Sequence, residues 1–233
     1  MFWDDQGVQV VVMKKLESGG EWRDVSEAET LRRLGCMNQF NQWLWSRIAP
    51  WVGRKVLEVG CGIGNFTPFF AGRERVVGID PNEEHLEEFR RRHPQLSQVE
   101  LHPLGAGDQA LMRLGPAAFD TIVCLNVLEH VEHDEVAMSS FRQLLMPGGH
   151  LALLVPAFPW LFGTLDLNGP HFRRYTRRGL SGLIQQSGFE LLEIRYFNLF
   201  GMPGLWFCGK ILKRPILPAS GLGWYEKLVP VFR

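Results

Sequence analysis

The sequence carries no surplus charge. Its 25 Lys and Arg residues are balanced by 25 Asp and Glu over 233 residues, so no global field draws it toward nucleic acid, and no such partner is expected. Cysteine is sparse. Cys36, Cys61, Cys124 and Cys208 lie far apart with no C-x-x-C pair and no finger-like spacing to His, which argues against structural zinc and a disulfide framework. No apolar run approaches the roughly 18 residues of a membrane-crossing helix. The opening residues, Met1-Phe2-Trp3-Asp4-Asp5, lack the basic and apolar regions of a signal peptide, so a cytoplasmic location is expected. There is no internal repeat and no low-complexity tract.

What is present is an ordinary globular composition, 45% hydrophobic and 21% charged, with enough chain for one α/β domain and small additions. The Val8–Met13 run suits a short strand or clasp. From Ser26 to Ile48, Leu31, Leu34, Phe40, Trp43, Leu44 and Ile48 recur at helical spacing, giving two helices broken near Gly35. After Gly53 the pattern changes. Short Val/Ile/Leu runs at Lys55–Gly60, Arg75–Asp80, Ser97–His102, Phe119–Leu125 and His150–Val155 read as strands. Helices are expected near Asn65–Ala71, Glu83–Arg92, Glu132–Leu145 and Thr176–Ser187, with Pro147-Gly148-Gly149 ending the third of these and a sixth strand at Phe189–Phe197. Such alternation predicts an α/β fold, a doubly wound and mostly parallel sheet with helices on both faces. The expected division is an N-terminal helical cap (1–52), a core domain (53–198) and an apolar C-terminal extension (199–233).

The sharpest local signal is Val56-Leu57-Glu58-Val59-Gly60-Cys61-Gly62-Ile63-Gly64-Asn65-Phe66, a strand running into a glycine-rich turn that opens a helix. Glycine permits both the tight turn and the approach of a ligand to the main chain. The nicotinamide fingerprint G-x-G-x-x-G fails at Asn65. The spacing is E-x-G-x-G-x-G instead, and an acidic residue beside the turn suits a cationic ligand. Asp80 ends the next strand about twenty residues later, where a carboxylate can accept both hydroxyls of a ribose.

In these residues the chain resembles the class I, Rossmann-like S-adenosylmethionine-dependent methyltransferases. The likeness continues through Phe119-Asp120-Thr121-Ile122-Val123-Cys124-Leu125-Asn126-Val127-Leu128-Glu129-His130 and Leu145-Met146-Pro147-Gly148-Gly149-His150-Leu151, spanning residues 55–155. The resemblance implies S-adenosylmethionine as cofactor. Glu58 would serve its methionine end, Gly60, Cys61, Gly62 and Gly64 would line it, and Asp80 with Pro81 would hold the ribose. Leu125 and Asn126 would sit beside the transferable methyl. One departure is visible: the acid that usually meets the adenine falls on Gly105, and Asp108 stands three residues late. The family's sheet also ends in an antiparallel hairpin, and residues 201–233 offer no seventh strand.

Glu129-His130-Val131-Glu132-His133-Asp134 invites a metal reading, but neighbours in sequence mostly diverge and the resembling family carries this Glu-His without metal, so none is expected. His130 is a candidate base or active-site wall. The run Asp166-Leu167-Asn168-Gly169-Pro170-His171-Phe172-Arg173-Arg174-Tyr175-Thr176-Arg177-Arg178 follows the fifth strand, on the edge where ligands bind in open α/β sheets. From it, His171 and Tyr175 join His130 as catalytic candidates, and Arg173 and Arg174 suit an anionic acceptor group. The plainer alternative is a solvated basic turn with Thr176 capping a helix. The apolar tail around 199–214 either packs on the sheet, lines an acceptor pocket, or meets a membrane surface or another subunit. The expected function is methyl transfer to a small-molecule acceptor, most readily at oxygen. The alternatives are a non-catalytic S-adenosylmethionine-binding module and methylation of a lipid-linked or protein acceptor.

Overall fold

The structure, a computed structural model, describes residues 29, 31–198, 201–213 and 218–232. The Val8–Met13 run and the start of the first expected helix at Ser26 lie outside the described residues, as do 199–200 and 214 in the apolar tail. Five strands form the sheet: β1 (Lys55–Val59), β2 (Arg75–Ile79), β3 (Glu100–His102), β4 (Phe119–Leu125) and β5 (Leu145–Leu154). Every pairing is parallel and the order is β3-β2-β1-β4-β5. This is the expected doubly wound, Rossmann-like arrangement.

The side-chain period of two explains why these runs are apolar without alternation. Leu57, Val59, Val77, Ile79 and Ile122 face one helical layer with Met138 and Phe141. Val56, Val76 and Val123 face the other with Leu44, Phe66 and Phe70. A strand covered on both sides is apolar on both faces, and the polar residues these strands do carry, Glu58 and Thr121 among them, are buried with hydrogen-bond partners.

A helical turn at 31–35 breaks at Cys36, beside the expected Gly35, before α1 (Asn38–Ile48). Next come α2 (Glu83–Arg92), α3 (Asp134–Leu144), a short α4 (Thr164–Asn168) and α5 (Arg177–Gln186). The Asn82 side chain accepts from the Glu84 N–H to cap α2, whose first turn is acidic and last turn basic, as the helix dipole favours. Thr176 caps α5 through the Gly179 N–H, which is the cap that the plainer reading of this run contained. The tail forms α6 (Met202–Trp206), a π-turn at Phe207–Ile211, and α7 (Ala219–Phe232).

Three expectations are corrected. The glycine turn opens no α-helix; Thr67–Phe70 is a single 3-10 turn, because Pro68 lacks an N–H and Gly72 (φ 82°) turns the chain away. Pro147-Gly148-Gly149 follows the end of α3 at Leu144 closely, as expected, but the strand starts before it: β5 begins at Leu145, not His150, and shifts register against β4 between Phe119 and Thr121. Phe189–Phe197 forms no ladder. Aromatic docking fixes that segment instead: Phe197 packs on Trp43 and Phe40, and Tyr196 stacks on Phe158. Among the described residues no strand pairs beyond β5, and α7 lies against α1. No helix among them is long and apolar enough to cross a membrane.

Asp120 fastens the start of β1 to β4. Its Oδ2 accepts from the Arg54 and Lys55 N–H groups at 2.7 and 2.9 Å, and Oδ1 accepts from the Thr121 hydroxyl. Asp120→Ala strands these donors and is expected to cost about 2–3 kcal/mol, read as a lowered denaturation midpoint with an unchanged slope.

Candidate functional site

The carboxyl ends of β1, β2 and β4 lie side by side, since Val59 pairs with both Ile79 and Cys124. The residue before it, Glu58, and the residue after β2, Asp80, therefore open on one cleft. That cleft, of about 2030 Å³, is lined by Glu58, Gly60, Cys61, Gly62, Asp80, Pro81, Leu125 and Asn126, and it runs on to His130 and His171. It exceeds the roughly 300–1,000 Å³ of a single-ligand pocket, which leaves space for a cofactor and a second molecule. Leu31, Leu34, Met37 and Phe40 line another part of it.

The turn after β1 depends on its glycines. Gly60 has φ 71°, and a Cβ there would collide with Val127; at Gly64 (φ 82°) one would fall 2.7 Å from the Phe89 ring. The N–H groups of Gly60 and Cys61 both bond the Ile79 carbonyl, at 2.8 and 2.9 Å, tying the turn to the end of β2. Asp80 is buried and accepts from the Gly62 N–H through Oδ2 and from the Asn82 N–H through Oδ1, with His85 Nδ1 3.2 Å away. Glu58 accepts from the Thr67 hydroxyl at 2.6 Å. Burial pushes its carboxyl up to about 8, against the opposing effect of that hydrogen bond. A cavity holding two buried carboxyl groups beside a glycine turn, with Gly60, Cys61 and Gly62 in its lining, fits a ligand with a cationic end and a ribose. Asp108, by contrast, folds back onto the Gly105 N–H at 2.6 Å.

At the end of β4, Asn126 takes φ 53°, a conformation that Asn tolerates better than most residues, and its N–H bonds the Leu154 carbonyl. Glu129 and His130 follow in a 3-10 turn. The loop after β5 returns to them: Phe172 N–H bonds the Glu129 carbonyl at 2.8 Å, and Tyr175 N–H bonds that of Pro156. His171 thereby meets His130 edge to face, ring centroids 4.6 Å apart. Burial, aided by His171, lowers His130 to about 4, so it stands neutral at pH 7. Burial raises Glu129 to about 7.

Behind His171 sits Asp166, 1% exposed, which accepts from His171 Nδ1 (3.0 Å), Arg174 Nε (2.6 Å) and the Gly163 N–H (2.8 Å). Burial opposes its ionisation, but those donors outweigh it and hold the carboxyl below the usual range. The remaining loop candidates are spoken for. Tyr175 is buried, with its hydroxyl donating to Asp134 at 2.7 Å, Arg173 pairs with Asp134, and Arg174 also reaches the Ala157 carbonyl. Of the sequence candidates, His130, His171, Arg174 and Tyr175 all line the cleft and Arg173 does not. Arg174 is committed to Asp166, and Tyr175 and Arg173 to Asp134, bonds that hold the loop in place.

A family profile described as a methyltransferase domain matches residues 31–194. The chain belongs to that family. Membership carries S-adenosylmethionine as the cofactor. Curated relatives include a tRNA U34 carboxymethyltransferase of Idiomarina loihiensis, 31% identical over 58% of this chain and 50% of that one. A ubiquinone biosynthesis O-methyltransferase of Paracidovorax citrulli is 32% identical over 65% of this chain and 57% of the relative. The chain thus spans about half the length of the curated relatives it matches. Among solved structures, an S-adenosylmethionine-dependent methyltransferase from Mesorhizobium loti superimposes with a TM-score of 0.58 at 21% identity, covering 76% of this chain and 94% of that one, a likeness of fold.

Two residues of this methyltransferase domain were not singled out from sequence, Glu129 and Asp166. Each sits inside a motif that was, but its partner His171 or Arg174 reaches it only through folding. The Glu58 shift yields a stability test. Its folded value of about 8 lies above its ordinary 4.5, so the cost of ionising it in place is absent below pH 4.5 and complete above about pH 8. Glu58→Gln is expected to raise the melting temperature of the ligand-free protein near pH 9, by an amount worth a few kcal/mol at most, and to leave it little changed near pH 5.

Proposed function

We propose that the chain moves the methyl group of S-adenosylmethionine to an oxygen of a small, largely apolar acceptor. The observation that carries this is the convergence of His130 and His171 on the same cleft as Glu58 and Asp80. The cofactor supplies an electrophilic methyl on its sulfonium, and transfer is an in-line displacement in which the acceptor oxygen bonds to the methyl carbon as the S–C bond breaks. The protein's contribution is alignment and the exclusion of water. In this reading Glu58 faces the methionine end, Gly60, Cys61, Gly62 and Gly64 line it, Asp80 and Pro81 hold the ribose, and Leu125 and Asn126 flank the methyl. His130 and His171 handle the acceptor oxygen and its proton. Asp166 orients His171, while Arg174, Arg173 and Tyr175 act as positioning residues through Asp166 and Asp134.

The helices at 31–48 supply a cap, whose Leu31, Leu34 and Phe40 suit an apolar acceptor. The exposed Trp206, Phe207, Ile211 and Leu212 leave a surface for a membrane or a second subunit. The absence of net charge favours a small molecule over RNA.

Asp80→Asn is expected to weaken S-adenosylmethionine binding about 10–100-fold by calorimetry, through the loss of charge-assisted hydrogen bonds. Unchanged affinity removes Asp80 from the ribose. His171→Ala is expected to lower single-turnover methyl transfer by roughly 100-fold while cofactor affinity holds. The assay follows labelled methyl into a panel of hydroxylated small molecules, with tRNA in parallel. Transfer to tRNA alone overturns the small-molecule reading, and a full rate with a lowered melting temperature returns His171 to a structural part.

A further inference from the structure

Folding brings a third group to the Glu-His pair that sequence neighbours could not supply. One ligand atom each from Glu129, His130 and His171 lies within 4.8 Å of the others. We propose that these three side chains bind a first-row divalent cation, of the Zn2+ or Mn2+ class, on the acceptor side of the cleft.

Three independent features point to a cation. Glu129 is 1% exposed, and its Oε2 is buried with no hydrogen-bond partner among the described residues. A carboxylate oxygen left unpaired in the interior is costly, and Arg174, the nearest guanidinium in this cluster, is already committed to Asp166. Second, His171 bonds Asp166 through Nδ1, which fixes the ring and leaves Nε2 as its ligand atom. A carboxylate behind a histidine is the usual support of a metal ligand, and here Arg174 and the Gly163 N–H support that carboxylate in turn. Third, the Phe172 N–H to Glu129 carbonyl bond clamps the His171 loop against the turn after β4, so the backbones that carry the three groups are held together.

The donor set selects the ion. Two imidazole nitrogens and one carboxylate oxygen suit first-row transition ions, whereas Mg2+ and Ca2+ prefer all-oxygen shells. Ligand atoms on a tetrahedral ion with bonds of about 2.1 Å stand about 3.4 Å apart, so closure by roughly an ångström completes the site. Three protein ligands leave coordination positions open, as catalytic sites do, and all three residues line the cleft. An acceptor hydroxyl on such a position loses its proton more readily, so that His171 would hold the ion rather than take the proton itself. That role rests on the acceptor-side reading above; the binding of the ion does not.

The test uses the full chain, stripped with a chelator and dialysed, without cofactor or acceptor. Zn2+ is titrated by calorimetry, and Co2+ by its visible absorption. One equivalent should bind, with Co2+ bands that Zn2+ displaces. Glu129→Gln and His171→Ala should each weaken binding by about 100-fold or more, and Asp166→Asn by about 10–100-fold. His133→Ala, at an exposed neighbour outside the cluster, should bind as the parent does. Absence of stoichiometric binding in the parent overturns the inference, whatever the variants do. So does unaltered binding in Glu129→Gln and His171→Ala when both retain the parent's melting profile. A failed methyl-transfer screen leaves this titration intact, and an ion-free protein that still methylates its acceptor overturns the ion's part in deprotonating the hydroxyl, not its binding.

Discussion

β1 is hydrogen-bonded on both sides, to β2 and to β4, and four of its five residues are buried. The cofactor half of the cleft is placed by that ladder. Parallel pairing in matched register sends the chain out of all three strands at the same edge, so the residues that leave them are neighbours however far apart in sequence. Glu58, Asp80 and Asn126 meet for this reason. Their chemistry is also a product of it, since carboxylates at the ends of fully covered strands are dehydrated and answer to a few fixed donors, Thr67 for Glu58 and the Gly62 and Asn82 N–H groups for Asp80.

The second half of the cleft is built by a loop rather than by the sheet. Asp166, with three donors in a nearly dry position, organises it: one carboxylate neutralises Arg174, orients His171 and closes the turn at Gly163. A loop secured this way can present a histidine with the precision of a strand end. Tyr175 and Arg173, both on Asp134, fasten the far side of the same loop.

The strands, α2, the cap of α5 and the glycine turn were all legible in the sequence, because each rests on local signals: apolar runs, Asn82 and Thr176 before helices, glycines at positions of positive φ. The cofactor half of the cleft was legible for the same reason, as its residues fall within one βαβ stretch. Where local signals conflict, reading failed. Pro68 and Gly72 leave too little chain for a helix after the turn, and the apolar 189–197 segment has the composition of a strand while its aromatic residues find partners on α1 and at Phe158 instead. The convergence of Glu129, His130 and His171 was not legible at all. It depends on one backbone bond from Phe172 to Glu129, and no periodicity announces such a bond.

The sheet stops at β5 among the described residues, and that strand ends in Leu151-Ala152-Leu153-Leu154, four apolar residues without a charge. All four are only partly covered, and none of them is a lysine or proline of the kind with which proteins commonly blunt an open ladder; Pro156 follows only after the strand has ended. Pro147 guards only the first turn of the strand. Among the described residues the outer main-chain groups of this half have no ladder partner, the arrangement to which an extended segment can add as a further strand. The same four residues also line the cleft, so whatever pairs along this edge stands at the wall of the site.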